Sequence, residues 1–154
     1  MISIANTLHL LSAVIWVGGM FFAYVVLRPV SARQLEPPQR LSLWSHVFSA
    51  FFPWVWIVII ILTSSGLWLI FQQFGGMKNV AVHVHIMLTV SLVMSFIFAY
   101  LFFVPHRQLK QFVAEQSWPE AAKALSKIRT LIAVNLTLGL AVTVIASAGP
   151  LLFS

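Results

Sequence analysis

The stretch LSLWSHVFSAFFPWVWIVIIILTSSGLWLIFQQFGGM, residues 41–77, contains no Asp, Glu, Lys or Arg. A helix needs only roughly 20 apolar residues to cross a bilayer, and this stretch is well over that length. Three further stretches, residues 1–27, 79–106 and 130–154, are equally free of these charges. The sequence therefore predicts an all-α fold: a polytopic membrane protein built as a four-transmembrane-helix bundle. The helices are expected over about residues 3–27, 41–71, 80–104 and 118–148 of one domain, residues 1–154.

Composition supports the same class. Of 154 residues, 60% are hydrophobic and 8% are charged, whereas roughly a quarter of a soluble domain is charged. Cysteine is absent, which excludes disulfides, thiolate metal sites and thiol nucleophiles. The first helix is expected to stop at Arg28-Pro29, because proline disfavours the helical conformation of the residue before it.

The basic residues report the orientation of the chain in the membrane. Lys78 falls on one side, and the other eight fall on the opposite side: Arg28, Arg33, Arg40, Arg107, Lys110, Lys123, Lys127 and Arg129. Cytoplasmic connections carry an excess of Lys and Arg, so both termini are expected outside, in a bacterial inner membrane. The partner of these charges is then the lipid membrane, and no nucleic acid is expected.

The acidic residues exclude several chemistries. Glu36, Glu115 and Glu120 all lie in the predicted cytoplasmic connections. A proton relay through buried carboxylates is therefore disfavoured, and a serine hydrolase would lack its carboxylate. Histidine is the remaining candidate for site chemistry.

The five histidines fall into two groups. His9, His83 and His85 are expected at one shallow depth near the outer surface, where imidazoles can supply metal ligands. His46 and His106 lie near the opposite surface and are interpreted as interfacial polar residues.

The outer histidines predict a b-type haem near the periplasmic side. At 100° per residue, His83 and His85 point to nearly opposite faces of their helix, so both cannot bind one metal from it. We expect bis-histidine ligation by His9 with His85 first, or with His83 second. Trp16 follows His9 on the same stripe, and Lys78 is placed to meet a propionate.

Two axial imidazoles leave no open position on the iron, which favours electron transfer. The predicted role is that of a membrane oxidoreductase between a quinone-type donor and a periplasmic acceptor. The opposed directions of His83 and His85 also leave open a second cofactor, or a ligand donated across a homo-oligomer interface.

Copper uptake or copper handling is the alternative function. His83 and Met87 are one helical turn apart, and Met94 is two turns further along. Copper binds such soft or borderline donors. A third hypothesis is a structural subunit whose histidines only bond other helices. Asn135 is likewise expected to bond across the bundle.

Short signatures along nearly the whole chain resemble the CopD-type membrane protein family. They are Leu8-His9, residues 15–20 (IWVGGM), Leu27-Arg28-Pro29, Phe52-Pro53-Trp54, residues 82–85 (VHVH), Ile128-Arg129, Asn135-Leu136 and Gly139. The resemblance implies copper handling, for which that family is named.

The chain is also similar to the HemJ group of four-helix protoporphyrinogen oxidases. That group has a histidine in helix one and a His-x-Lys pair opening helix three, which would fall on His9 and on His83 and His85. This chain has His85 where that group has lysine. The imidazole favours metal ligation over porphyrinogen oxidation.

Overall fold

The computed structural model describes residues 1–152, so positions 153–154 of the predicted domain lie outside it. The described chain is helical apart from short connections. The α-helices are α1 (Ile2–Phe21), α2 (Arg28–Gln34), α3 (Pro37–Phe74), α4 (Val82–Phe103), α5 (Pro105–Ala114) and α6 (Trp118–Leu152).

Four helical segments within residues 1–152 are long and apolar enough to cross a membrane. They are Ile2–Gln34, Pro37–Phe74, Val82–Ala114 and Trp118–Leu152. Length and composition thus confirm the predicted class, a multi-pass membrane protein of four transmembrane helices.

The first span does not stop at Arg28-Pro29. A π-helical turn, Phe22–Leu27, joins α1 to α2, and helical backbone continues to Gln34. Proline breaks an α-helix because its ring meets the carbonyl four residues earlier. The wider π-helical turn gives the Pro29 ring that space, so the helix passes through the proline.

The second span extends beyond the predicted residues 41–71 at both ends. Pro37 and Pro38 form its first turn, where the missing amide hydrogen of proline costs no helical bond. Gly75 ends the helix in the left-handed conformation, with φ of 68°. Glycine adopts that conformation without the steric cost that a Cβ brings.

The third and fourth spans also differ from the predicted bounds. The third, α4, ends at Phe103, one residue before its predicted end, and a separate amphipathic helix, α5, begins at Pro105. In the fourth span, α6 begins at Trp118 as expected but continues past Gly149-Pro150 to Leu152. Gly149 packs directly on His83, and this contact supports the last turns of α6.

The bundle consists of two helix pairs. α1 packs along α3, and α4 packs along α6, with α6 also contacting α1 and α3. We call the end formed by the start of α1, the end of α3, the start of α4 and the end of α6 the histidine end. The opposite end, which carries eight of the nine Lys and Arg residues, is the basic end.

Asn135 fastens the α4 and α6 pair. Its side chain is only 2% exposed, and its Nδ2 donates to the Met94 carbonyl at 3.1 Å. This confirms the predicted bond across the bundle. Its Oδ1 has no hydrogen-bond partner among residues 1–152, so the amide is only half satisfied.

Replacing Asn135 by leucine is expected to cost little stability. Hydrogen bonds between membrane helices contribute on average about 0.6 kcal/mol, and N135L also removes a buried unsatisfied oxygen. We expect the free energy of unfolding to fall by about 1 kcal/mol or less. Denaturation by SDS in mixed micelles measures it. The control is Thr137→Val, at an exposed hydroxyl that bonds only its own helix. A loss above about 3 kcal/mol for N135L alone would contradict this account.

Candidate metal-binding site at the histidine end

His9 is held by α3 rather than by α4. Its Nδ1 lies 3.2 Å from the Leu62 carbonyl oxygen and 3.1 Å from Ser65 Oγ. The carbonyl can only accept, and the Ser65 hydroxyl donates at 2.6 Å to the Ile61 carbonyl. Nδ1 of the neutral ring is therefore the protonated nitrogen. Nε2 carries the lone pair, and it has no hydrogen-bond partner among residues 1–152.

Such a bond is common where histidine binds a metal. A ligating histidine usually donates its other ring nitrogen to a carbonyl or carboxylate, which fixes the tautomer and the ring orientation. Gly66 makes room for this arrangement, since a Cβ there would lie 3.1 Å from His9 Cε1. The sequence signal for these partners is the small polar run Ser64-Ser65-Gly66 in the apolar part of α3.

His83 and His85 lie on opposite faces of α4, as their spacing predicts. His83 packs on Gly149 of α6, where an added Cβ would lie 2.9 Å from both Cβ and Cγ of His83. His85 is exposed, and its backbone carbonyl accepts from the Thr89 hydroxyl at 2.9 Å.

His9 lies against a different helix from His83. Within the described chain, α1 does not pack directly on α4. His9 contacts α3, and His83 contacts α6. No three His, Asp or Glu side chains among residues 1–152 converge to hold a metal ion. The predicted His9–His85 and His9–His83 pairs therefore gain no support from these contacts.

The other predicted site residues are spread over the bundle. Trp16 is 2% exposed and belongs to the hydrophobic core, about two turns after His9 on α1. Lys78 is exposed in the turn Met77–Asn79 at the histidine end.

The methionines of the copper hypothesis lie at successive depths on α4. Met87 is half-buried one turn after His83, and a helix rises about 6 Å over that interval. Met94 is 3% exposed, and the helical rise places it about 16 Å from His83. Its methyl group lies 3.3 Å from the position of a Cβ on Gly139. Side chains four residues apart on a helix, as His83 and Met87 are, can share one ion, whereas Met94 belongs to a deeper level.

The interfacial interpretation holds for His46 and is wrong for His106. His46 is exposed at the basic end, with Nδ1 at 2.7 Å from the Ser42 carbonyl. His106 is only 3% exposed, because Pro105 starts a new helix that turns it under α3. The ring centroids of Phe52 and Phe102 lie 4.8 Å and 5.6 Å from its own. The sequence signal for the burial of His106 was the Phe-rich composition of α3 and α4.

Comparison with known proteins identifies the family of this chain. The model of one family, described as copper resistance protein D, matches residues 45–148, about two thirds of the chain. The match includes His83, Met87 and Met94, while His9 precedes it. No curated protein and no solved structure matches the chain. With four apolar spans and a family match over most of its length, the chain belongs to the CopD family of membrane proteins.

Proposed function

We propose that this CopD-family protein binds copper ions at its histidine end and handles them within the membrane. The observation that carries the proposal is the state of His9, whose Nδ1–H is bonded to α3 while Nε2 keeps its lone pair. An imidazole fixed in this way binds a metal without first losing a proton or changing its tautomer. The family to which the chain belongs is described by copper resistance, which supports copper as the metal.

The donors on α4 favour the cuprous ion. Imidazole suits copper generally, and thioether sulfur selects Cu(I). His83 and Met87 offer one donor of each kind a single turn apart. Met94 lies further into the bundle on the same helix, where it would provide a second level of soft ligand. In this proposal copper is the ion that the protein handles and not a permanently bound cofactor.

A b-type haem is the second candidate, and the same observation favours it. An axial histidine also uses Nε2 with Nδ1–H bonded to a carbonyl. His9 would supply one axial ligand, and His83 or His85, at the same end of the bundle, would have to supply the other. A haem with a redox role, or a HemJ-like porphyrinogen oxidase activity, would draw that second ligand from α4, which does not pack directly on α1 among residues 1–152.

Metal content and the visible spectrum test both candidates. Protein purified in mild detergent from cells grown with added copper is expected to contain stoichiometric copper and to lack a Soret band. Iron together with a Soret band and a sharp α-band after reduction would show that the protein binds haem and not copper. A colourless protein that neither carries copper nor takes up Cu(I) anaerobically would refute the proposal and leave only a structural role for the histidines.

A further inference from the structure

Three arginines gather at the basic end from three different helices. Arg28 begins α2, Arg40 lies in the first turns of α3, and Arg129 lies in α6. Arg28 and Arg40 are both close enough to Arg129 for their charges to act on it. We call these residues the arginine cluster.

The arginine cluster differs in burial from its basic neighbours. Its three members are half-buried, whereas the other five basic residues at this end are exposed: Arg33, Arg107, Lys110, Lys123 and Lys127. Withdrawing a guanidinium from water is costly unless an anion pairs with it. Contact with water alone therefore does not compensate for the partial burial of these three guanidinium groups.

No carboxylate neutralises the arginine cluster within the described chain. Among residues 1–152, the only ion pair joins Lys123 and Glu120, at 3.5 Å between exposed side chains. The nearest acidic residue in sequence is Glu36, which makes no ion pair. Three like charges held together without a counter-charge repel one another, so a bound anion would stabilise them.

The surroundings of the arginine cluster have the form of a small cleft. Arg28 and Arg129 both border a narrow gap of about 10 Å³, whose other walls include Tyr24, Trp44 and Phe48. The gap has room for roughly one water molecule, so a phosphate group would lie over its mouth rather than inside it. The Arg28 guanidinium stacks over the Tyr24 ring at 4.8 Å from its centroid. This stacking orients the Arg28 guanidinium plane and leaves its in-plane N–H groups to bind a ligand.

We infer that the arginine cluster is a binding site for an anionic phosphate group. Guanidinium groups match phosphate oxygens through paired hydrogen bonds, which a single ammonium cannot do. Basic pockets between membrane helices are also the places where anionic lipid headgroups bind. This inference is independent of the copper proposal, since the site is at the opposite end of the bundle.

Competition between lipids tests the inference. The purified protein is incubated with equal amounts of phosphatidylglycerol and phosphatidylcholine, and native mass spectrometry counts the retained lipids. We expect phosphatidylglycerol to be retained about tenfold more than phosphatidylcholine, as charge-assisted hydrogen bonds would give. A second arm measures melting temperature in phosphatidylcholine micelles with inorganic phosphate or with chloride at equal ionic strength. Stabilisation by inorganic phosphate in that arm would identify a free phosphate as the source, and none would identify the lipid.

Variants separate the arginine cluster from general surface charge. Arg28→Gln and Arg129→Gln are expected to abolish the preference, while the matched control Arg33→Gln, an exposed arginine on the same short helix as Arg28, should keep it. Arg28→Lys retains the positive charge but lacks the paired N–H donors of the guanidinium group, so it should lose most of the preference. This variant keeps the test available if R129Q fails to fold. Equal retention of the two lipids together with no effect of phosphate, or an equal loss in R33Q, would overturn the inference.

Discussion

Replacing His9 by alanine is expected to lower the affinity for Cu(I) by more than about 100-fold. Removing a group that merely orients a metal ligand costs about 10- to 100-fold in metal affinity, and H9A removes the ligand itself. The variant should still fold, because the ring is half-buried and its bonds to α3 are local to one helix pair. Anaerobic titration against a chromogenic Cu(I) chelator measures the affinity.

The control for H9A is His46→Ala. His46 also has its Nδ1 against a backbone carbonyl, but it is exposed at the basic end. Its replacement should leave Cu(I) affinity within about twofold of the original, since it lies a bundle length from the proposed site. Equal affinity of H9A and the unmodified protein would remove His9 as a ligand, and a loss in H46A of the same size would place copper at the wrong end.

A graded variant tests the orienting bond. Ser65→Ala removes one acceptor from His9 Nδ1 but leaves the Leu62 carbonyl in place. We expect a loss of Cu(I) affinity of about tenfold or less. A larger loss in S65A than in H9A would mean that the hydroxyl, and not the imidazole, binds the ion.

The second large effect is expected on stability, from Gly139→Leu. Gly139 is buried where α6 meets α1 and α4, and a Cβ there would already lie 2.9 Å from Val17 Cγ2. The remaining three carbons of leucine have no space, so α6 must move away from both helices. Overpacking of this kind costs about 1–3 kcal/mol, and here it also strains the Asn135 bond one turn away.

Gly18→Leu is the matched control for the same substitution. Gly18 is exposed on α1, and no atom of residues 1–152 lies within 4 Å of a Cβ placed there. Leucine also has the higher helix propensity, so G18L should be neutral or stabilising by up to about 1 kcal/mol. Unfolding by SDS titration compares the two. If G139L were as stable as G18L, α1, α4 and α6 would not meet at Gly139 as closely as the structure has them.

The sequence predicted the parts of this molecule that depend on one helix at a time. Stretches without charge indicated four spans because each must cover the hydrocarbon thickness by itself. The opposite directions of His83 and His85 followed from 100° of rotation per residue. Proline was a less reliable guide to where a helix ends. The energetic cost of a proline inside a helix depends on whether neighbouring turns can widen, as the π-helical turn before Pro29 does.

The sequence by itself therefore determined a four-span membrane protein, its helix faces and its candidate ligands. Only the tertiary structure decided which neighbour each ligand has: His9 bonds α3, His83 packs on Gly149, and His106 lies among phenylalanines. The physical reason is that periodicity gives the direction of a side chain about its own axis. Which helix lies in that direction depends on close packing at small residues such as Gly66, Gly139 and Gly149, which no pattern along one chain segment specifies.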